Sequence, residues 1–173
     1  MIISLTEYQL LAKRTCPSLD NDKLDLAHMV LGIFSEYSEY QTAVVNNDIT
    51  NITEELGDKF WYIANYCTFR NYNLESLWNN KFKNNDFTIN ISILQDYIKK
   101  YVAYNKEIIP FNESLILSNI LYNINEMYEI NKLDIFESLT KNINKLKVRF
   151  PNNFNEQNAI ERNLDLEKIE LEK

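Results

Sequence analysis

Apolar positions recur along this chain at helical spacing. Leu5–Thr15 reads as a short first helix, ended at Cys16-Pro17 because the residue before a proline avoids helical geometry. A second helix, capped by Asp20 or Asp22, runs to about Val45. Leu24, Ala27, Leu31 and Phe34 supply its apolar stripe, widened by Val30, Ile33, Tyr37 and Val44. A third helix spans about Ile52–Phe69, with Asn51 and Glu54 arranged as a capping box. Its Ile52, Leu56, Phe60 and Ile63 face the core. After a polar stretch from Asn79 to Asn90, helices follow at about Ser92–Glu107, Glu113–Ile130 and Leu133–Val148, with Pro110 separating the first two. Beyond Pro151 a charged helix, roughly Glu156–Leu171, presents a largely solvated face of alternating Glu and Lys.

The pattern carries a signal of internal repetition. A shift of 60 sets Asp96-Tyr97 on Glu36-Tyr37 and Pro110 on Thr50, and a shift of 62 sets Asn142 and Lys145 on Asn80 and Lys83. The two-residue slip fits the loop before Leu133. The second copy lacks the acids of the first: Lys99, Leu115 and Ser118 stand where Glu39, Glu55 and Asp58 stood. The expected organisation is a single all-α domain, a helical bundle that is an internally duplicated pseudo-dimer. Residues 1–90 form its acidic half, 91–150 the degenerate half, and 151–173 a tail.

Composition supports that class. The chain has 173 residues, 45% hydrophobic, with only two Gly and three Pro, which favours long helices over tight turns. Its formal charge of −7 argues against a nucleic-acid polymer as partner, so a bound phosphate needs a cation as intermediary. Cys16 and Cys67 have no zinc-like spacing and read as reduced thiols. The N-terminus has no secretory pattern and no apolar run is long enough for a membrane span, so a cytoplasmic protein is expected. Abundant Asn, Ile, Lys and Tyr suggest an AT-rich genome, such as that of a phage.

The chemistry concentrates between Gly32 and Trp61. Two acidic pairs lie there at i,i+3 spacing, Glu36 with Glu39 and Glu55 with Asp58, beside the only two glycines, Gly32 and Gly57. Like charges at that spacing destabilise a helix by a few tenths of a kcal/mol, and an interior glycine costs roughly 1 kcal/mol against alanine. Such local violations are expected at functional sites. Asp25, Gly32, Glu36, Glu39 and Ala43 share one narrow stripe of the second helix, while Glu55, Asp58 and Tyr62 share a face of the third. The short loop Asn46–Asp48 makes the helices antiparallel, which lets the pairs meet. Glu on helices is usually solvated, but two pairs on consecutive helices, each with an interior glycine, favour a metal site. Oxygen-only ligands suit Mg²⁺ or Mn²⁺. A di-iron bundle wants Glu-x-x-His, and the sole histidine, His28, follows no Glu at that spacing, so it reads as structural or surface. Two glycines permit no phosphate-binding loop.

These residues also resemble a known family. E-x-x-E, a spacer, then E-x-x-D is similar to the motif of the all-α nucleoside triphosphate pyrophosphohydrolases, the MazG and dimeric dUTPase superfamily. LGIFSEYSE at Leu31–Glu39, EELGDKFWYIA at Glu54–Ala64 and YQLLAKRT at Tyr8–Thr15 resemble it too, as does the Asn142–Glu167 segment its phage-type members. The stretch from about Asn79 to Asn131 has no such likeness and looks like an insertion. The resemblance implies Mg²⁺-dependent hydrolysis of a (d)NTP to (d)NMP and pyrophosphate. Glu36, Glu39, Glu55 and Asp58 match the metal ligands, and Glu36 or Glu39 would position or deprotonate the water. Glu54 is an outer-shell candidate. Asn142, Lys145 and Arg149 match the family text as phosphate or base contacts, and Asn80 and Lys83, their counterparts in the first copy, are rivals for that role. Trp61 and Tyr62 are available to stack a base, although aromatics at helical spacing are more often core. Members usually dimerise, so either a homodimer or a monomeric pseudo-dimer is implied. A regulatory nucleotide such as a guanosine polyphosphate is the alternative substrate, and a non-catalytic helical binding module the alternative class.

Overall fold

Asn and Asp open most of the helices. Their short side chains accept from the free N–H groups of a first turn, as Asn21 does from Lys23 and Leu24, Asp48 from Asn51, Asn73 from Ser76 and Asp134 from Glu137. In the structure, a computed structural model that describes residues 3–173, the described residues form nine α-helices and no strand. They are α1 (Leu5–Arg14), α2 (Asp22–Val45), α3 (Ile49–Phe69), α4 (Leu74–Asn79), α5 (Phe87–Tyr104), α6 (Pro110–Ile130), α7 (Ile135–Arg149), α8 (Glu156–Ile160) and α9 (Leu164–Glu172). No helix is long and apolar enough to cross a membrane.

Several boundaries differ from the expected ones for identifiable reasons. Asn21, not Asp20 or Asp22, caps α2, since Asp20 is in the left-handed region at φ 53°. Asp48 caps α3 one turn earlier than the Asn51–Glu54 box would. Leu74, Leu77 and Trp78 bury one face of α4, a helix too short for periodicity to declare. Pro110, expected to separate two helices, does so by opening α6, three residues before the expected Glu113, where its missing N–H costs nothing. The tail helix breaks at Glu161–Asn163 into α8 and α9, and it is not wholly solvated, because Glu167 and Leu171 are buried.

Helix α3 is the spine. Ile52, Leu56, Phe60 and Ile63 are at most 2% exposed, and buried residues occupy most of its circumference. It pairs with α2 as a hairpin and receives α1 and α7, while α5 lies on α2, α6 on α5, α4 on α6, and α9 on α7. On α2 the buried face is Leu26, Met29, Val30 and Ile33. Leu24, Leu31 and Phe34, expected to be core, are 49%, 64% and 44% exposed. This helix is apolar on more than one side, so periodicity alone did not identify which side packs. Leu31 and Ala27 line a shallow groove with Ile98 and Val102 of α5.

The repeated turns stand in one register. Helices α3 and α6 have 21 residues each, offset by 61 positions (49 to 110, 69 to 130). Asn71 and Lys132, one offset apart, both have φ 56°. At each turn a later N–H returns to the helix, Tyr72 to the Cys67 carbonyl at 2.8 Å and Leu133 to that of Tyr128 at 3.0 Å. This is the Schellman arrangement. Asn73 and Asp134 then cap the following helices. The single offset replaces the shifts of 60 and 62, and places Ile116 and Asn119 at the positions of Glu55 and Asp58.

Two further ionic groups are buried, Lys59 within reach of the Glu36 and Glu55 charges. Glu113 of α6, fully buried, accepts from Arg70 at 2.7 Å, from Tyr72 at 2.8 Å and from Tyr66. Lys59 of α3, also fully buried, places its ammonium 4.0 Å from the Tyr40 ring centroid and 5.3 Å from that of Tyr37. Burial pushes its pKa down to about 7.

Candidate metal centre

The α2–α3 hairpin brings three of the four motif acids together. Carboxylate oxygens of Glu36, Glu39 and Glu55 lie within 4.8 Å of one another. Glu55 is buried, Glu36 half-buried and Glu39 exposed, so the cluster runs from the helix interface out to solvent. They line a cavity of about 340 Å³ with Asp58, Trp61, Tyr62 and His28, in the size range of small-molecule pockets.

The electrostatics show how costly the cluster is without a cation. Burial raises the pKa of both Glu36 and Glu55, and Asp58 and Glu39 add repulsion. With carboxylate oxygens this close, a proton on one of them would relieve part of the repulsion. A cation can replace that proton. The donor set is all hard oxygen and converges within a few ångströms from two rigid helices, so it fits Mg²⁺ or Mn²⁺.

Asp58 lies beside this trio but outside it. Lys145 of α7, fully buried, donates to its two oxygens at 2.7 and 2.6 Å and to Glu54 at 3.1 Å. Asn142 donates to Asp58 at 2.6 Å and accepts at 2.8 Å from the Tyr8 hydroxyl, which also reaches the Gly57 carbonyl. Asn142 and Lys145, matched to phosphate contacts by resemblance, thus hold an acid here. Arg149 does line the cavity, paired with Glu167. Asn80 and Lys83 do not. Asn80 follows α4 and is exposed, and Lys83 pairs with Glu126 at 2.8 Å. At the offset of 61 their counterparts are Lys141 and Asn144, so the equivalence with Asn142 and Lys145 disappears.

Both glycines are explained by close approach. A Cβ on Gly32 would meet the Tyr62 ring at 2.2 Å, and one on Gly57 would meet Asn142 at 3.0 Å. Gly32 lets Tyr62 lie flat against α2 at the cavity wall, and Gly57 lets α7 bring Asn142 onto Asp58. Trp61 is 9% exposed, and its indole N–H donates to Thr15 at 2.9 Å, which fixes the ring. His28 meets Tyr62 edge-on at a centroid distance of 5.8 Å, and burial lowers its pKa.

Sequence reasoning did not single out Arg162, which enters the cavity from the α8–α9 joint. The motif acids lie within residues 1–90, and Leu146, Arg149, Phe150, Phe154 and Arg162 from later in the chain complete the wall. Only the text likeness at Asn142–Glu167 hinted at this, since long-range docking of a tail leaves no local period. Comparison with protein-family models, curated proteins and solved structures gives no match to this chain.

Proposed function

We propose that this protein is a divalent-cation-dependent nucleoside triphosphate pyrophosphohydrolase of the MazG-like all-α type. It would cleave a (d)NTP between the α and β phosphates. The observation that carries the reading is the meeting of Glu36, Glu39 and Glu55 in a cavity that also holds cationic and aromatic side chains. Three carboxylates near one point are poorly matched to any neutral or anionic ligand unless cations intervene. A charged phosphate chain beside them makes chemical sense only with the metal.

Glu36, Glu39 and Glu55 would hold the cation, with Asp58, held by Lys145 and Asn142, at its edge, and Glu54 would steady Lys145. Bound Mg²⁺ supplies neutralisation of phosphate oxygens and acidification of water. Glu39 is the better placed of the two candidate bases. It is exposed and can pass a proton to solvent, whereas Glu36 is half-buried. Trp61 and Tyr62 border the cavity and would be the aromatic surfaces available to a base.

The bundle is proposed to be an internally duplicated pseudo-dimer with one centre per chain. The common offset of 61 and the twin turns support it. So does the packing: α7 lies on α3 while its counterpart α4 lies on α6. Each half thus covers the other's spine.

A panel of canonical and modified nucleotides with Mg²⁺, including a guanosine polyphosphate, tests the function beside Glu39→Gln and Asp58→Asn. The expected products are a monophosphate and pyrophosphate, lost in both variants. Orthophosphate as sole product would refute the scissile bond, and no turnover of any nucleotide would refute the enzyme.

A further inference from the structure

The C-terminal segment after α7 docks through few apolar side chains, Phe154 on Phe150 and the buried Leu171. Helix α8 buries no residue, and α9 buries only Glu167 and Leu171. An ionic cluster completes its attachment. Glu167, 2% exposed, accepts from Arg149 at 3.0 and 2.5 Å and from Arg162 at 2.7 Å. One carboxylate between two guanidinium groups leaves a net positive charge, and both arginines line the cavity that holds the glutamate cluster. Arg162 reaches Glu54 only at 3.8 Å, beyond hydrogen bonding. Its remaining N–H groups have no acceptor among the described residues. A guanidinium held by one nitrogen at a cavity wall, with donors to spare, can receive an anion.

We propose that Arg162, with Arg149 and held by Glu167, forms an anion subsite that takes the terminal phosphates of the nucleotide and retains the leaving pyrophosphate. The identity of the ligand rests on the hydrolase reading above. The positive subsite faces the acidic cluster across one cavity, so an elongated polyphosphate spans from the cation end to the guanidinium end. Planar guanidinium forks match phosphate oxygens in pairs, which a lysine would not.

A staple that merely fastens the tail and a subsite that binds phosphate differ in sign. The probe is inorganic pyrophosphate with Mg²⁺, titrated calorimetrically into the full chain and its variants, with circular dichroism confirming the helices. Arg162→Gln is expected to weaken pyrophosphate binding about tenfold, the loss of one charge-assisted contact. Glu167→Gln releases both guanidinium groups and is expected to tighten it. Equal affinity in Arg162→Gln, weakening in both variants, or no binding by the unaltered protein would each overturn the subsite. Arg162-dependent binding without turnover of any nucleotide would keep the subsite and sink the hydrolase. Turnover with pyrophosphate binding indifferent to Arg162 would do the reverse.

Discussion

Replacing Lys145 by methionine removes the cation buried against Asp58 and Glu54 while keeping most of its stem volume. Removing one partner of a buried ion pair costs about 3–5 kcal/mol, because the other charge is left without compensation. Here Asp58 and Glu54 retain 24% and 22% exposure, and Asn142 still donates to Asp58. The loss should therefore be smaller, about 2–3 kcal/mol. For a chain of this length each kcal/mol moves the thermal midpoint by roughly 2–4 °C, so a fall of about 5–10 °C is expected in chelator. Burial disfavours the ammonium, yet Asp58 and Glu54 carry its pKa above the usual lysine value. Its contribution is thus fully present below the unfolded-state pKa, about 10.4, and is lost as pH rises through the higher folded value. The decisive comparison adds Mg²⁺. With Lys145 gone the acids lack their internal counter-charge, so the cation should stabilise the variant more than the unaltered protein. Thermal melts of both proteins, in chelator and across a Mg²⁺ series, measure this. A midpoint within 1 °C of the parent, or an identical Mg²⁺ response, would refute the electrostatic account.

Three further outcomes follow from the geometry. Gly32→Ala gains about 1 kcal/mol of helix propensity but forces a Cβ into the Tyr62 ring at 2.2 Å, at an overpacking cost of about 1–3 kcal/mol. It should be neutral to destabilising and alter the near-ultraviolet aromatic signal; a full 1 kcal/mol gain would contradict the contact. In chelator, Glu36 has its pKa raised to about 7 by burial, so the folded state holds a proton that the unfolded state has released. Stability should therefore fall as pH rises from about 4.5 to 7. His28, whose pKa is lowered by burial, pulls the other way below its unfolded value. Denaturation of the parent against Glu36→Gln isolates the effect, and equal pH slopes would deny it. Glu113→Ala, far from the acidic cluster, should cost about 3–5 kcal/mol in urea melts by stranding Arg70. A loss under 1 kcal/mol would show that the buried network contributes little.

The acidic hairpin was legible because its rule-breaking is local. Two like-charged pairs and two interior glycines are visible without any tertiary information, and each glycine proves to sit under a specific side chain, Tyr62 or Asn142. The core face of α3 was equally plain, since Ile52, Leu56, Phe60 and Ile63 recur every three to four residues. The core face of α2 was not. Leu24, Leu31 and Phe34 form as good a stripe as Leu26, Met29 and Ile33, and only the packing partners decide between them. Asp58 shows a second limit. Its spacing from Glu55 matches a ligand pair, but Lys145 and Asn142, 84 or more positions away, claim it in this structure. The same distance in sequence hid Arg162. Its placement depends on Glu167 being buried between two arginines, and a run of alternating charges reads as solvated until a partner surface is known.

The central claim is that Glu36, Glu39 and Glu55 make a divalent-cation site. Calorimetric titration of Mn²⁺ into the parent protein and into Glu55→Gln tests it most directly, because Glu55 is the most buried of the three. The account predicts saturable binding by the parent that is lost in Glu55→Gln. Binding of equal strength in both proteins, or none in the parent, would contradict it.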